Sequence, residues 1–158
     1  MAMSANRLAT EMEKIEPTIV EIEAARILAK AFATYFYDAM AGGVPVVPGT
    51  LVAAEAAMLG ALTGMSVPGA GAVAIQSGIT AFWGVVAASA AVVFPTMISA
   101  TPPPTLAAIA AAIMGVAPAN VSGNLPEKQA MKVVAGVIHL NNLGGTAALL
   151  VGPPVPIL

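Results

Sequence analysis

From Ala56 to Pro126 the chain carries no Asp, Glu, Lys or Arg. A stretch that long and uncharged has no ionised face to present to water. It must be packed inside the fold, covered by neighbouring chains, or embedded in lipid. The remaining charges do little to change this. Of six basic and eight acidic residues, ten fall between Arg7 and Asp38. Glu55 stands alone, and Glu127, Lys128 and Lys132 open a last amphipathic segment. Charged residues make up 9% of the sequence, against about 25% in ordinary soluble domains. A chain of this length buries roughly 70% of its unfolded surface. Fourteen charged side chains cannot cover what is left.

The apolar character comes from Ala, Val, Ile, Leu and Met, since aromatics are only 4%. Mean hydropathy is +0.88 and the pI is near 5.2. With net charge −2 and no basic stripe, the electrostatic footprint of a nucleic-acid binder is missing. The absence of cysteine removes disulfides, thiolate metal sites and cysteine nucleophiles together. The opening residues lack the basic start, apolar core and cleavage site of a signal peptide.

The pattern predicts an all-α fold of about five Ala-rich helices, joined by extended Pro/Gly connectors and ending in an extended C-terminal arm. Leu8, Met12 and Ile15 mark one stripe of a helix over 4–15, with Ser4 as its cap. After Pro17, Thr18 and Glu21 fit a capping box for a helix reaching about Met40 and stopping at Gly42-Gly43. Further helices are expected over Leu51–Thr63, Ala72–Phe94 and Leu106–Val116. APANVSGN at 117–124 reads as loop. Asn124 then caps a last helix with Pro126 in its first turn and Ala130, Met131, Val134, Val137 and Ile138 on its apolar face. Runs such as Val44–Val47 and Ala90–Phe94 are also compatible with strands. Three segments follow: amphipathic helices over 1–43, an apolar helical core over 44–145, and a Pro-rich, irregular apolar arm over 146–158.

Ala72–Phe94 is long enough to cross a bilayer of about 30 Å. Three features favour protein around it instead. Ala supplies most of its hydrophobicity, no Lys or Arg flanks it, and Phe82 and Trp83 sit mid-segment where interfacial aromatics do not belong. Ala74 with Gly78, and Gly84 with Ala88, are small-xxx-small pairs that let helix backbones approach closely. These residues, with Phe82 and Trp83, are the candidate interface. Pro153, Pro154, Pro156, Ile157 and Leu158 join them, because a Pro-stiffened apolar tail is inexpensive to fix in place. It lies either in a groove on an adjacent subunit or back over its own helices.

No catalytic, cofactor or metal site emerges. His139, the single histidine, has no evident orienting partner and one imidazole does not make a zinc site. It reads as a partly exposed residue away from the apolar face. Five of the eight carboxylates lie in residues 11–23 among basic residues, which describes a solvated helix face. Glu55 is either a buried acid or, more in keeping with its helix, an outward-pointing one. The nine methionines are irregularly spaced and suit gap filling. No phosphate-binding or nucleophile-elbow motif occurs. The chain therefore reads as a non-enzymatic protein without cofactors.

QSGITAFW at Gln76–Trp83, TPPPTLAAIAA at Thr101–Ala111 and the closing LGGTAALLVGPPVPIL resemble small Ala/Gly/Pro-rich virion structural proteins of contractile-tailed bacteriophages, near the tail and baseplate. The resemblance covers residues 30 to 158 and transfers no catalytic residue. It implies a virion subunit assembled in the host cytoplasm, present in several copies, whose partners are other virion structural proteins. The alternatives are a small holin-like or channel-like membrane oligomer and a capsid-decorating minor head protein.

Overall fold

The computed structural model describes residues 3–15, 19–42, 44–45, 51–64, 70–93, 97–121, 127–149 and 153–158. They form six helices: α1 (Ala5–Met12), α2 (Glu21–Phe36), α3 (Leu51–Ala61), α4 (Gly71–Val93), α5 (Ile109–Val121) and α6 (Glu127–Asn142). Five short strands accompany them: β1 (Met40–Ala41), β2 (Val44–Pro45), β3 (Met97–Thr101), β4 (Thr146–Leu149) and β5 (Val155–Pro156). The fold is thus predominantly helical with a small antiparallel sheet.

The core is organised around α2. Ala25, Leu28, Ala29, Phe32, Tyr35 and Phe36 recur at helical spacing and are buried. Their aromatic rings meet those of α4 edge-on. Phe32 and Phe82 centroids lie 4.9 Å apart, and Phe36 and Trp83 lie 5.0 Å apart. Such pairs contribute about 0.5–1.5 kcal/mol each beyond the area they bury. Thus a chain poor in aromatics concentrates them where they touch one another. On α1, Leu8, Ala9 and Met12 face inward, and this helix lies against α6 and α2. The most extensively packed helix pair is α3 with α4. Gly78 makes it possible: a Cβ there would stand 2.9 Å from the Leu62 side chain and 3.2 Å from Met58.

Side chains from one helix cap another. Gln76 Oε1 on α4 accepts the Ala110 N–H at 2.9 Å, in the first turn of α5. Glu21 Oε1 accepts the Gly64 N–H at 2.7 Å, just beyond α3. Gly64 has φ 76°, a left-handed conformation that glycine adopts without a steric penalty. Gly42, with φ 57°, turns β1 into β2.

Several sequence expectations are revised. The first helix stops at Met12 and the second at Phe36, where the chain turns to form β1. The connector over Ala100–Thr105, expected to be extended, ends in a 3-10 turn, Pro104–Ala108, that leads into α5. There the Thr105 hydroxyl donates to the Asn141 carbonyl at 2.7 Å. Residues 117–121, read as loop, continue α5. Ser4 flanks α1 without a side-chain capping bond. Val44–Pro45 is a strand, whereas Ala90–Val93 is helical. Thr18, Asn124 and Pro126 lie outside the described residues.

The tail also departs from an irregular arm. β4 pairs antiparallel with both β3 and β5. Ile157 N–H donates to the Gly145 carbonyl at 2.9 Å, and Met40 and Leu158 exchange two backbone hydrogen bonds of 2.9 Å. The extended C-terminal segment is therefore clasped between β4 and β1. Of the two courses open to it, it folds back on its own chain. The accessible surface is 7743 Å², close to the about 7,250 Å² expected of a compact monomer of this mass. The segment adds no projecting arm.

Candidate functional site

Two polar centres stand out in this apolar chain, one buried and one at the surface. The buried centre forms where α2, α4 and α6 meet. Asn142 is the fully buried polar residue among the described ones. Its Oδ1 accepts the Trp83 indole N–H at 2.6 Å, and its amide group points to the Met3 sulfur at 3.6 Å. One turn earlier, His139 Nδ1 lies 2.8 Å from the Tyr35 hydroxyl. No buried side-chain nitrogen or oxygen among the described residues lacks a partner.

This geometry sets the protonation. Burial pushes the Tyr35 hydroxyl up to about 12, against a smaller opposing effect from a hydrogen bond to Asn142. Burial also lowers the His139 pKa. A neutral imidazole accepting the Tyr35 proton at Nδ1 keeps its own proton on Nε2. The network is a set of matched donors and acceptors in the core. It has the form of a structural lock.

The sequence reading placed His139 away from the buried face of its helix. The structure turns that face by about one position. Ala135, Ile138 and Asn142 are buried, while Ala130, Met131, Val134 and Val137 are only partly so. No periodicity of apolar residues reveals a face that includes His and Asn.

At the surface, α1, α2 and α3 surround an open recess of about 210 Å³. Lys30 and Thr34 contribute from α2, Tyr37 from just beyond its end, Val52 and Glu55 from α3, and Arg7 from α1. Arg7 is ion-paired with Asp38. Lys30 and Glu55 make no ion pair among the described residues. Val52 is 81% exposed and Tyr37 62%. Glu55, the one charge on α3, thus borders a recess instead of standing alone on an apolar face. Among the described residues no three His, Asp or Glu side chains gather as a metal site would require.

The candidate interface residues are divided by the fold. Ala74, Gly78, Phe82 and Trp83 are buried within the chain's own core, as is Ile157. Gly84, Ala88, Pro153, Pro154, Pro156 and Leu158 lie exposed. Of the two small-residue pairs, Ala74/Gly78 faces α3, whereas a Cβ added at Gly84 would meet nothing within 4 Å. On α4 the exposed positions Val73, Ser77, Thr80, Gly84 and Ala88 form one continuous helical stripe. The exposed surface also carries large apolar side chains beyond the candidate interface residues: Leu140 at 71%, Val20, Ile22 and Val52.

No family model, curated protein or solved structure matches this chain.

Proposed function

We propose that this chain is a non-enzymatic structural subunit of a virion, in the tail or baseplate of a phage, present in several copies beside other virion structural proteins. One observation carries the reading. Large apolar side chains stay exposed on α2, α3 and α6 in a chain with too few charges to wet the surface around them. Isolated exposed apolar residues are ordinary on soluble proteins. Here they accompany the outer faces of α3 and α4, where the half-buried Glu55 is the one charge and α4 offers water Val73, Ser77, Thr80, Gly84 and Ala88. Cover by neighbouring protein meets that need. The resemblance of Gln76–Trp83, Thr101–Ala111 and the closing segment to virion proteins supplies the setting.

A membrane protein is the second reading, favoured by one feature of α4. Its window Gly71–Ala88 has mean hydropathy 1.5 and is 33% buried. Against it, the exposed stripe holds Ser77, Thr80 and Gly84 in place of the Leu, Ile and Phe that drive insertion. Fractionation of producing cells separates the two. The subunit reading expects the chain in lipid-free particles, recovered with particle proteins by mass spectrometry. Flotation with membrane vesicles and absence from particles would overturn it, and recovery with heads instead of tails would overturn the tail assignment.

A further inference from the structure

The recess between α1, α2 and α3 carries an inference that deepens the subunit reading and rests on it. Charges in this chain are scarce, and those near the recess are not equivalent. Arg7 is satisfied by Asp38. Lys30 on α2 and Glu55 on α3 are opposite in sign and line the same recess. Neither has an ion-pair partner among the described residues. The recess holds about 210 Å³, below the about 300–1,000 Å³ usual for a small-molecule pocket. It suits an inserted side chain better than a metabolite. Val52 and Tyr37, both mostly exposed, stand at its rim.

A face bearing one unpaired cation, one unpaired anion, a recess and a projecting apolar side chain is complementary to itself. Under a two-fold axis, residue i of one copy meets residue j of the other, and j meets i. We propose that this face is an isologous contact between two copies of the chain, in which Lys30 of each copy pairs with Glu55 of the other and Val52 enters the opposite recess. The charges set register and exclude wrong pairings. Burial of Val52 and Tyr37 supplies the affinity.

Two experiments test this on the full-length chain. Lys30→Glu and Glu55→Lys each place two like-charge contacts across the axis. Each is expected to weaken dimerisation by about tenfold or more in sedimentation equilibrium. The double variant K30E/E55K restores opposite charges and is expected to return the affinity to within about threefold of the original. Unchanged dimerisation in the single variants, or no recovery in the double one, overturns the proposal. The second experiment does not depend on solubility. The chain has no cysteine, so after a short bismaleimide is added to a cell lysate, two copies of this chain can be joined only through introduced thiols. Val52→Cys is expected to give a cross-linked dimer, and Leu140→Cys, on the exposed face of α6, is not. No dimer with Val52→Cys, or equal yields from both, overturns the two-fold contact. Recovery of the chain in particles without that cross-link would sink this contact and leave the subunit reading standing.

Discussion

The Trp83 indole donates to Asn142 Oδ1 at 2.6 Å, joining α4 to the last residue of α6 inside the core. The bond is buried at both ends, so water cannot replace either partner. Asn142→Leu leaves the indole N–H without an acceptor, and that desolvation costs about 1–3 kcal/mol. For a chain of this size the melting temperature should fall by about 2–4 °C per kcal/mol. Adding Trp83→Phe to Asn142→Leu removes the orphaned donor and should cost less than the sum of the two single changes. Thermal unfolding followed by circular dichroism measures all three variants.

The glycines divide by what surrounds them. A Cβ at Gly145 would lie 2.6 Å from the Trp83 ring, a rigid neighbour. Gly145→Ala should therefore destabilise by about 1–3 kcal/mol. Gly84 is exposed on α4, with no atom near its missing Cβ. Gly84→Ala should stabilise the isolated chain by up to about 1 kcal/mol through helix propensity. Gly84→Leu should leave the fold intact while reducing incorporation into particles, which comparison of purified chain and particle yield will show.

His139 supplies a pH dependence whose sign is fixed by its environment. Burial lowers its folded-state pKa below the unfolded value, near 6.5. The unfolded chain therefore binds more protons as the pH falls. Stability is fully present above about 6.5 and is lost progressively as the pH drops toward the lowered folded value. Melting temperature should decline as the pH falls below about 6.5, and His139→Gln should flatten that decline. At the other extreme, Tyr35 titrates at about 12 in the folded chain. Its contribution persists below its unfolded pKa of about 10 and fades as the pH rises through 12. Phenolate absorbance in a Tyr37→Phe background isolates that titration.

The clasped C-terminal segment distinguishes neighbouring residues. Ile157 is fully buried between β4 and β1, while Pro153 and Pro154 are exposed. Ile157→Ala should cost about 2–4 kcal/mol. Pro154→Ala should stay within about 0.5 kcal/mol, as surface changes do. Equal, small effects at both positions in denaturant unfolding would contradict the folded-back course.

Much of the helical framework was legible because α2 buries residues at strict helical spacing and Gly78 sits where two helices must approach. The sheet of β3, β4 and β5 was not legible. Thr146–Leu149 and Val155–Pro156 are short and rich in Ala and Pro, and their pairing joins segments distant in sequence. Asn142 was not legible as a core residue, because its role as acceptor depends on Trp83, which no local pattern connects to it. The surface recess was hidden for the same reason. Arg7, Lys30 and Glu55 come from three helices, and only tertiary packing places them around one space.

Cover of this chain's poorly charged surface by other polypeptide is the central proposal. Sedimentation equilibrium of the full-length chain in detergent-free buffer, from about 1 to about 100 µM, tests it directly. The account predicts species of two or more chains whose mass grows with concentration. A single 15.6 kDa species across the whole range would contradict it.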